Sequence, residues 1–390
     1  MLARTLILAS LAACSAPLAA QSSAEAAQAS ANNESDFAKF VPRPSGKSTQ
    51  IDYSFLDEAL EFMVLRMGPS TRQGMGRPDP GMGTRRVYGH ESRVRLEGNR
   101  IVFSYLTEEQ IAPLTEYRQD LERLGSELDI ATLSRNEQLA YWMNLHNVAV
   151  IEQIAVHYPI QSPSRMKLGP SKTPLDETPF ITVAGVAMSP KDIRTKIVFP
   201  NWDDANVIYG FFRGEVGGPS VQRRAFTGKN MAELLGLSSK EFVNSLRGVE
   251  AFGDNLLVSA IYEEAASFFF PQLGDAFRTH LLRHADEEVA GLIGRKPGIK
   301  INQYENTVAD LAAGDREPSY SYVETDGLAQ RTRVSPSVAR FLGERYEKYE
   351  KLRREGLLQG RVIVLPMQNA DENATSNPQP PVDGEPVEGG

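Results

Sequence analysis

Residues 134–159 read SRNEQLAYWMNLHNVAVIEQIAVHYP. Ser134 and Glu137 make the S-x-x-E pattern that opens a helix. Pro159 closes it. The spacing predicts one helix over 135–158, about six to seven turns long. Leu145, Val148, Ala149, Val150 and Val156 fill most of its circumference. A helix that is apolar nearly all round is buried, so this segment is the axis of the fold. Into it the chain places two amides, Asn144 and Asn147. At about 100° per residue they fall on one side, about 60° apart. An unpaired polar group there costs roughly 1–3 kcal/mol, so both must be bonded. Two readings stay open: the amides tie neighbouring loops to the helix, or they hold a substrate. His146 falls elsewhere on the wheel, beside Gln153, and reads as a surface or boundary histidine.

Outward from this helix the pattern is mixed. Helical spacing also marks 53–67, 107–125, 229–236, 239–246, 260–270, 274–293 and 335–358. Phe180 to Met188 and Asn206 to Phe212 read as strands, and 94–103 as a hairpin turning at Gly98-Asn99. Ser189-Pro190 opens a further helix, with Ser as N-cap. The expected fold is α+β: a mainly helical single domain with a small β-sheet, over 47–366. Residues 21–46 are rich in Ala, Ser, Asn and Gln and read as a flexible linker. Val362 to Leu365 looks strand-like. Residues 367–390 carry five acids, no Lys or Arg, and many Pro and Gly, which predicts a disordered acidic tail.

The 390 residues carry a net charge of -8 and no basic block longer than a pair, which argues against nucleic acid as a partner. The first 20 residues have one early charge, Arg4, and an apolar core from Thr5 to Ala13. This is a secretory leader, too short to span a bilayer. Leu11-Ala12-Ala13-Cys14 resembles a lipobox, which would lipidate Cys14 and supply a membrane anchor. Cleavage after Ala20 is the alternative. Either way the expected location is the periplasm, or the outer membrane, of a Gram-negative-type bacterium. Cys14 is the single cysteine. The rest of the chain therefore has no thiol nucleophile, disulfide or thiolate metal site.

Asn206 to Arg224 reads NVIYGFFRGEVGGPSVQRR, an apolar run entering a glycine loop. Such loops can present N–H groups to a ligand, but no Gly-Lys-Ser/Thr follows and Ser220 is not in G-x-S-x-G. Arg213 and Glu215 leave the run as a charged pair, either at a cleft or as a structural ion pair. His280 and His284 are four apart, but without the Glu of a zinc-protease helix they read as part of an amphipathic helix. No cofactor motif or metal site is expected.

Asn136 to Pro159 resembles the signature of the domain of unknown function 547 family, with Trp142, Asn144, His146 (where the family usually has Tyr), Asn147, Tyr158 and Pro159 at its positions. Leu257 to Tyr262, Phe268 to Pro271, and the segment around Tyr304 are similar more loosely. The resemblance spans about 115–310 and implies a fold rather than an activity. Relatives tend to carry His in the segments that here read Asp192-Ile193-Arg194-Thr195 and Ile208-Tyr209-Gly210-Phe211. They also tend to carry Cys where this chain has Arg213 and Gly218. Two functions follow as expectations. The first is an exported envelope protein with a binding or scaffold role. The alternative is a hydrolase-like or transferase-like enzyme with a site between the Asn144/Asn147 helix and the Arg213–Ser220 loop. Asn144, Asn147, Asp192 and Glu215 are its candidate catalytic residues. Trp142, Arg213, Ser220 and Tyr304 are the candidate ligand contacts. Whether the chain is an enzyme stays open at this point.

Overall fold

A computed structural model describes residues 36–46, 48–80, 85–316 and 334–357. In chain order its elements are α1 (Ser54–Met63), β1 (Val64–Leu65), β2 (Arg100–Ile101), α2 (Glu108–Glu127), α3 (Arg135–Val156), β3 (Lys167–Leu168), β4 (Thr173–Pro174), β5 (Ile181–Val183), β6 (Val186–Met188) and α4 (Pro190–Asp192). Then come α5 (Met231–Val243), β7 (Val249–Phe252), β8 (Asn255–Val258), α6 (Ile261–Phe269), α7 (Asp275–Leu282), α8 (Glu287–Arg295), β9 (Gly298–Ile301) and α9 (Pro336–Arg354). The strands form three two-stranded ladders and one three-stranded sheet, β7-β8-β9. The architecture is the expected mainly helical α+β one. Among the described residues no helix is long and apolar enough to cross a membrane.

The axis is α3. Its N-cap is Ser134, whose Oγ accepts from Glu137 N at 3.4 Å. The reciprocal half of the expected cap is missing, because Glu137 Oε1 accepts instead from Gly228 N at 3.1 Å. Every residue from Glu137 to Glu152 is buried. That overturns the boundary placement of His146, which is 0% exposed. Helix α2 packs along α3. Tyr141 donates to Leu121 O at 2.9 Å, and Glu152 accepts from Arg118 Nε at 3.2 Å and Thr115 Oγ1 at 3.1 Å. A Cβ at Gly125 would overlap the Tyr141 hydroxyl and Val183, so the close approach of α2 requires glycine there.

Several expected elements take another form. Residues 94–97 are a turn, not a hairpin arm. The Arg100 guanidinium is 0% exposed and donates to the carbonyls of Arg95, Glu97 and Gly98, which curls the loop round it. Strand β2 pairs with β1 instead. Residues Ala205–Gly210 are a 3-10 helix rather than a strand, capped where Asp204 Oδ1 accepts from Asn206 N at 2.9 Å. The stretch 274–293 is two helices, split by Asp286, whose carboxylate caps α8 at Val289 N. The two short helices expected over 229–246 are one, α5. At 180–188 the strand is a hairpin that turns at Ala184 and Gly185, both at positive φ. The linker reading fails at residues 37–40: Phe37 and Phe40 join the core, and Phe40 meets Trp142 edge-on at 5.0 Å. The leader with Cys14, the strand at 362–365 and the tail at 367–390 lie outside the described residues.

Strand β8 pairs antiparallel with β7 and parallel with β9. Parallel neighbours need a crossover connection, and α6, α7 and α8 provide it. The chain therefore leaves β8 at Val258 and β9 at Ile301 in register, on the same side of the sheet. The described residues up to 348 form one compact unit, in which the buried Lys348 donates to Met67 O and Leu96 O. A second unit covers 349–390 and is described over Tyr349–Leu357, where Glu350 pairs with Arg353 and Lys351 with Glu355.

Candidate functional site

Both amides of α3 are bonded to backbone. Asn144 Nδ2 donates to Phe226 O at 2.7 Å, and its Oδ1 accepts from Phe226 N at 3.0 Å. Asn147 Nδ2 donates to Gly210 O at 2.9 Å, and its Oδ1 accepts from Phe212 N at 2.9 Å. Each side chain acts as one rung of a β-ladder, holding an extended segment that has no strand partner there. His146 extends the arrangement. Its Nε2 lies 2.9 Å from Arg194 Nη1, and guanidinium only donates, so the imidazole proton sits on Nδ1, 3.0 Å from Asn147 Oδ1. Burial, then the Arg194 charge, lower the His146 pKa to about 3, so the ring is neutral.

Holding 210–212 aims the next residues, Arg213 and Glu215, into a cleft of about 570 Å³. One side comes from the start of α6, with Ala260, Ile261 and Glu264, just beyond β8. Tyr304, just beyond β9, contributes the neighbouring wall. Ser164, Asp176, Lys191 and the apolar Val150 and Leu175 complete the lining. The parallel pairing of β8 and β9 thus brings Glu264 and Tyr304 to one place.

A chain of alternating charges forms the back of the cleft. Arg213 Nη2 and Nη1 lie 2.7 and 3.0 Å from the Glu264 oxygens. Arg194 holds the same carboxylate at 2.9 and 3.0 Å, and Asp176 at 2.8 and 2.6 Å. Burial alone would raise the Glu264 pKa, but Arg213 and Arg194 overcome it and hold the carboxylate well below its usual range. The same opposition, with Arg194 as the main counter-charge, lowers Asp176. Two cations and two anions cancel.

Glu215 differs. It is 4% exposed and its Oε1 accepts from Ser164 N at 2.7 Å. Burial pushes its pKa up to about 7, against the bonds from Ser164, the neighbouring Tyr304 hydroxyl and the Arg213 charge. Burial, then Glu215, raise the Tyr304 phenol well above its ordinary range. The Tyr304 hydroxyl makes no hydrogen bond of good geometry, and neither does Arg213 Nε, although both atoms are buried.

Of the eight candidate residues, the fold brings Arg213, Glu215 and Tyr304 to the cleft lining. Asn147 braces the segment before them. Asn144 does not reach the cleft, so the expected meeting of Asn144 and Arg213 across one site does not occur. Trp142 is 0% exposed in the core. Asp192 caps α4 through the Ser189 N–H and hydroxyl and pairs with Lys196. Ser220 bonds Glu241 and Asn99 N. Asp176, Arg194 and Glu264 were not legible as a set, since their partners stand 18 to 70 residues apart. His280 Nε2 lies 2.9 Å from the Tyr209 hydroxyl. Among the described residues no group of three or more His, Cys, Asp or Glu is placed to hold a metal ion.

No curated protein and no solved structure matches the chain. Residues 130–243 match a family described as "Protein of unknown function, DUF547". The match begins just before α3 and ends with α5, so it includes the amide ladder, Arg194, Arg213 and Glu215, while Glu264 and Tyr304 come from the chain beyond it. Over those residues the chain is similar to the DUF547 family.

Proposed function

We propose that the protein is an exported cell-envelope protein that binds a small molecule in this cleft. The observation that carries the reading is the cleft of about 570 Å³ itself, where the buried Arg213 Nε has no partner and the Tyr304 hydroxyl meets Glu215 without a hydrogen bond of good geometry. Native interiors rarely leave such groups unpaired, and a bound ligand is one way they are completed. The apolar lining of Val150, Leu175 and Ile261 beside a few polar groups has the usual make-up of a ligand pocket. The leader-like residues 1–20 support export. The test is a ligand screen by thermal shift, using fragments of envelope polymers. Stabilising hits should vanish in Ala260→Trp, which fills the cleft, and weaken in Arg213→Ala. Hits that survive Ala260→Trp unchanged would remove the cleft from the account.

A second reading, an enzyme, is favoured by Glu215. A carboxyl group poised near pH 7 suits general acid–base work. It does not draw on Asn144 or Asn147 as oxyanion donors, because both Nδ2 groups already donate to backbone carbonyls. Turnover of any screened compound with a pH limb near 7, lost in Glu215→Gln, would favour it over simple binding.

A further inference from the structure

We infer that the cleft is one end of a longer groove, which continues past Tyr304 into a second, polar hollow and onto the outer face of the β7-β8-β9 sheet, and that the groove takes an uncharged glycan strand. The inference rests on the binding reading above and names the class and the extent of the ligand.

The second hollow has a volume of about 250 Å³. The chain crosses from cleft to hollow between Glu215 and Gly217, and from hollow to cleft between Ser259 and Ala260. Tyr304 lines both. Its ring is bedded on glycine. A Cβ at Gly217 would lie 3.0 Å from Tyr304 Cδ2, and one at Gly218 would lie 3.0 Å from its oxygen. Strand alternation carries the groove further. Glu250 lines the hollow, and Phe252, two residues on, shares its face of β7. Across the ladder that face continues with Leu257 and Asn255, while Val249, Leu256 and Val258 are buried on the other. Two residues of strand span about 7 Å, so the Phe252 ring stands just beyond the hollow. It is 76% exposed at the hairpin tip.

The charges along this path are engaged. In the hollow Arg93 holds Glu250 at 2.8 and 2.9 Å, Arg247 pairs with Glu241, and Glu305 Oε1 accepts from Thr307 N at 3.1 Å. In the cleft Arg213 and Arg194 are matched by Glu264 and Asp176, and Lys191 by Glu177. Glu263 is exposed at the rim and keeps its water. A charged chain would therefore gain little for the hydration it gives up. The groups left to bond are neutral. The side chains of Gln303 and Asn306 line the hollow and make no hydrogen bond among the described residues. A carboxamide offers donors and an acceptor together, which suits hydroxyl groups that do both. A sugar ring also presents a face of C–H bonds, and the exposed Phe252 ring offers it an apolar platform.

The test is a length and charge series on the full chain, titrated by ligand-observed NMR at pH 5.5. The probes are the dimer and hexamer of N-acetylglucosamine, the cationic deacetylated hexamer, the anionic hexamer of galacturonic acid, and an N-acetylated hexa-alanine amide. The neutral glycan hexamer should bind roughly tenfold more tightly than its dimer, because adjoining subsites on one chain reinforce each other. It should also outbind the two charged hexamers and the peptide. Phe252→Ala and Asn306→Ala should each weaken the hexamer about threefold and leave the dimer unchanged. Equal affinity of dimer and hexamer overturns the groove, and so does a hexamer indifferent to both substitutions. Equal or tighter binding of a charged hexamer or of the peptide overturns the ligand class. In each of these cases, loss of the remaining binding in Ala260→Trp keeps the cleft as a site. If no glycan binds, the inference fails, and the envelope-fragment screen alone then decides the cleft.

Discussion

The amide face of α3 and the polar corner of the cleft are both buried and both rich in hydrogen-bonding groups, yet they end differently. On α3 the Asn144 and Asn147 side chains are each bonded through oxygen and nitrogen to the backbone of an extended segment. In the cleft, Arg213 Nε has no partner and the Tyr304 hydroxyl meets Glu215 without a hydrogen bond of good geometry. Burial of polar residues is thus no guide to function by itself. What separates brace from binding surface is whether the protein completes the bonds. The charge chain through Arg194 lies between the two regions: it touches His146 on α3 and, through Glu264, Arg213 in the cleft.

Breaking that link should have the largest effect. Arg194→Met leaves Asp176 without its guanidinium and His146 Nε2 without a donor. Removing one member of a buried pair typically costs 3–5 kcal/mol, so a loss of about 4 kcal/mol is expected in denaturant unfolding. A loss below about 1 kcal/mol would mean that the chain of charges does not hold the regions together.

The pH dependence of Glu215 comes next. Its folded pKa is raised, so its contribution to stability is full below about 4.5 and is lost as pH rises through about 7. Relative to Glu215→Gln, the wild type should lose about 3 kcal/mol between those limits. Buried His90, His146 and His280, each held at about 3, act in the opposite sense, with stability lost as pH falls below about 6.5. They are common to both proteins and cancel in the difference. Parallel stability curves for the two proteins would contradict a buried, near-neutral Glu215.

Asn144→Ala should cost about 2 kcal/mol, because it strands both backbone groups of Phe226. The same variant should leave the binding of any envelope fragment at the cleft unchanged; a parallel loss of affinity would merge the two regions into one site. The smallest effect belongs to Lys191→Ala. Its pair with Glu177 is about half exposed on both sides, so less than 1 kcal/mol is expected in thermal melts.

Helix α3 was readable because its signals are local: a Ser cap, a continuous apolar surface and a proline stop. Residues 206–212 misled for the opposite reason. VIYGFF looks like a strand, but its backbone is bonded by Asn147, more than 60 residues earlier, and its turn is set by Asp204. The same distance hides half of the cleft. Arg213 and Glu215 stand out from a glycine loop, whereas Glu264 and Arg194 become meaningful once the fold has closed 51 and 70 residues between partners. His146 is a third kind of miss. The wheel sets it apart from the amides on a polar edge, but its Nδ1 bonds the Asn147 amide oxygen and its Nε2 meets the Arg194 guanidinium.

The parallel pairing of β9 with β8 has a consequence for the order of assembly. The wall bearing Tyr304 is held on the Glu215 segment by Val216 N to Thr307 O at 2.8 Å and Gly217 N to Glu305 O at 2.7 Å. These contacts join residues about 90 positions apart, across the whole helical crossover. Their loop-closure cost is met only after α6, α7 and α8 exist to shorten the path. A nascent chain can therefore form α2 and α3 early, while the cleft is completed only when the segment after β9 has emerged.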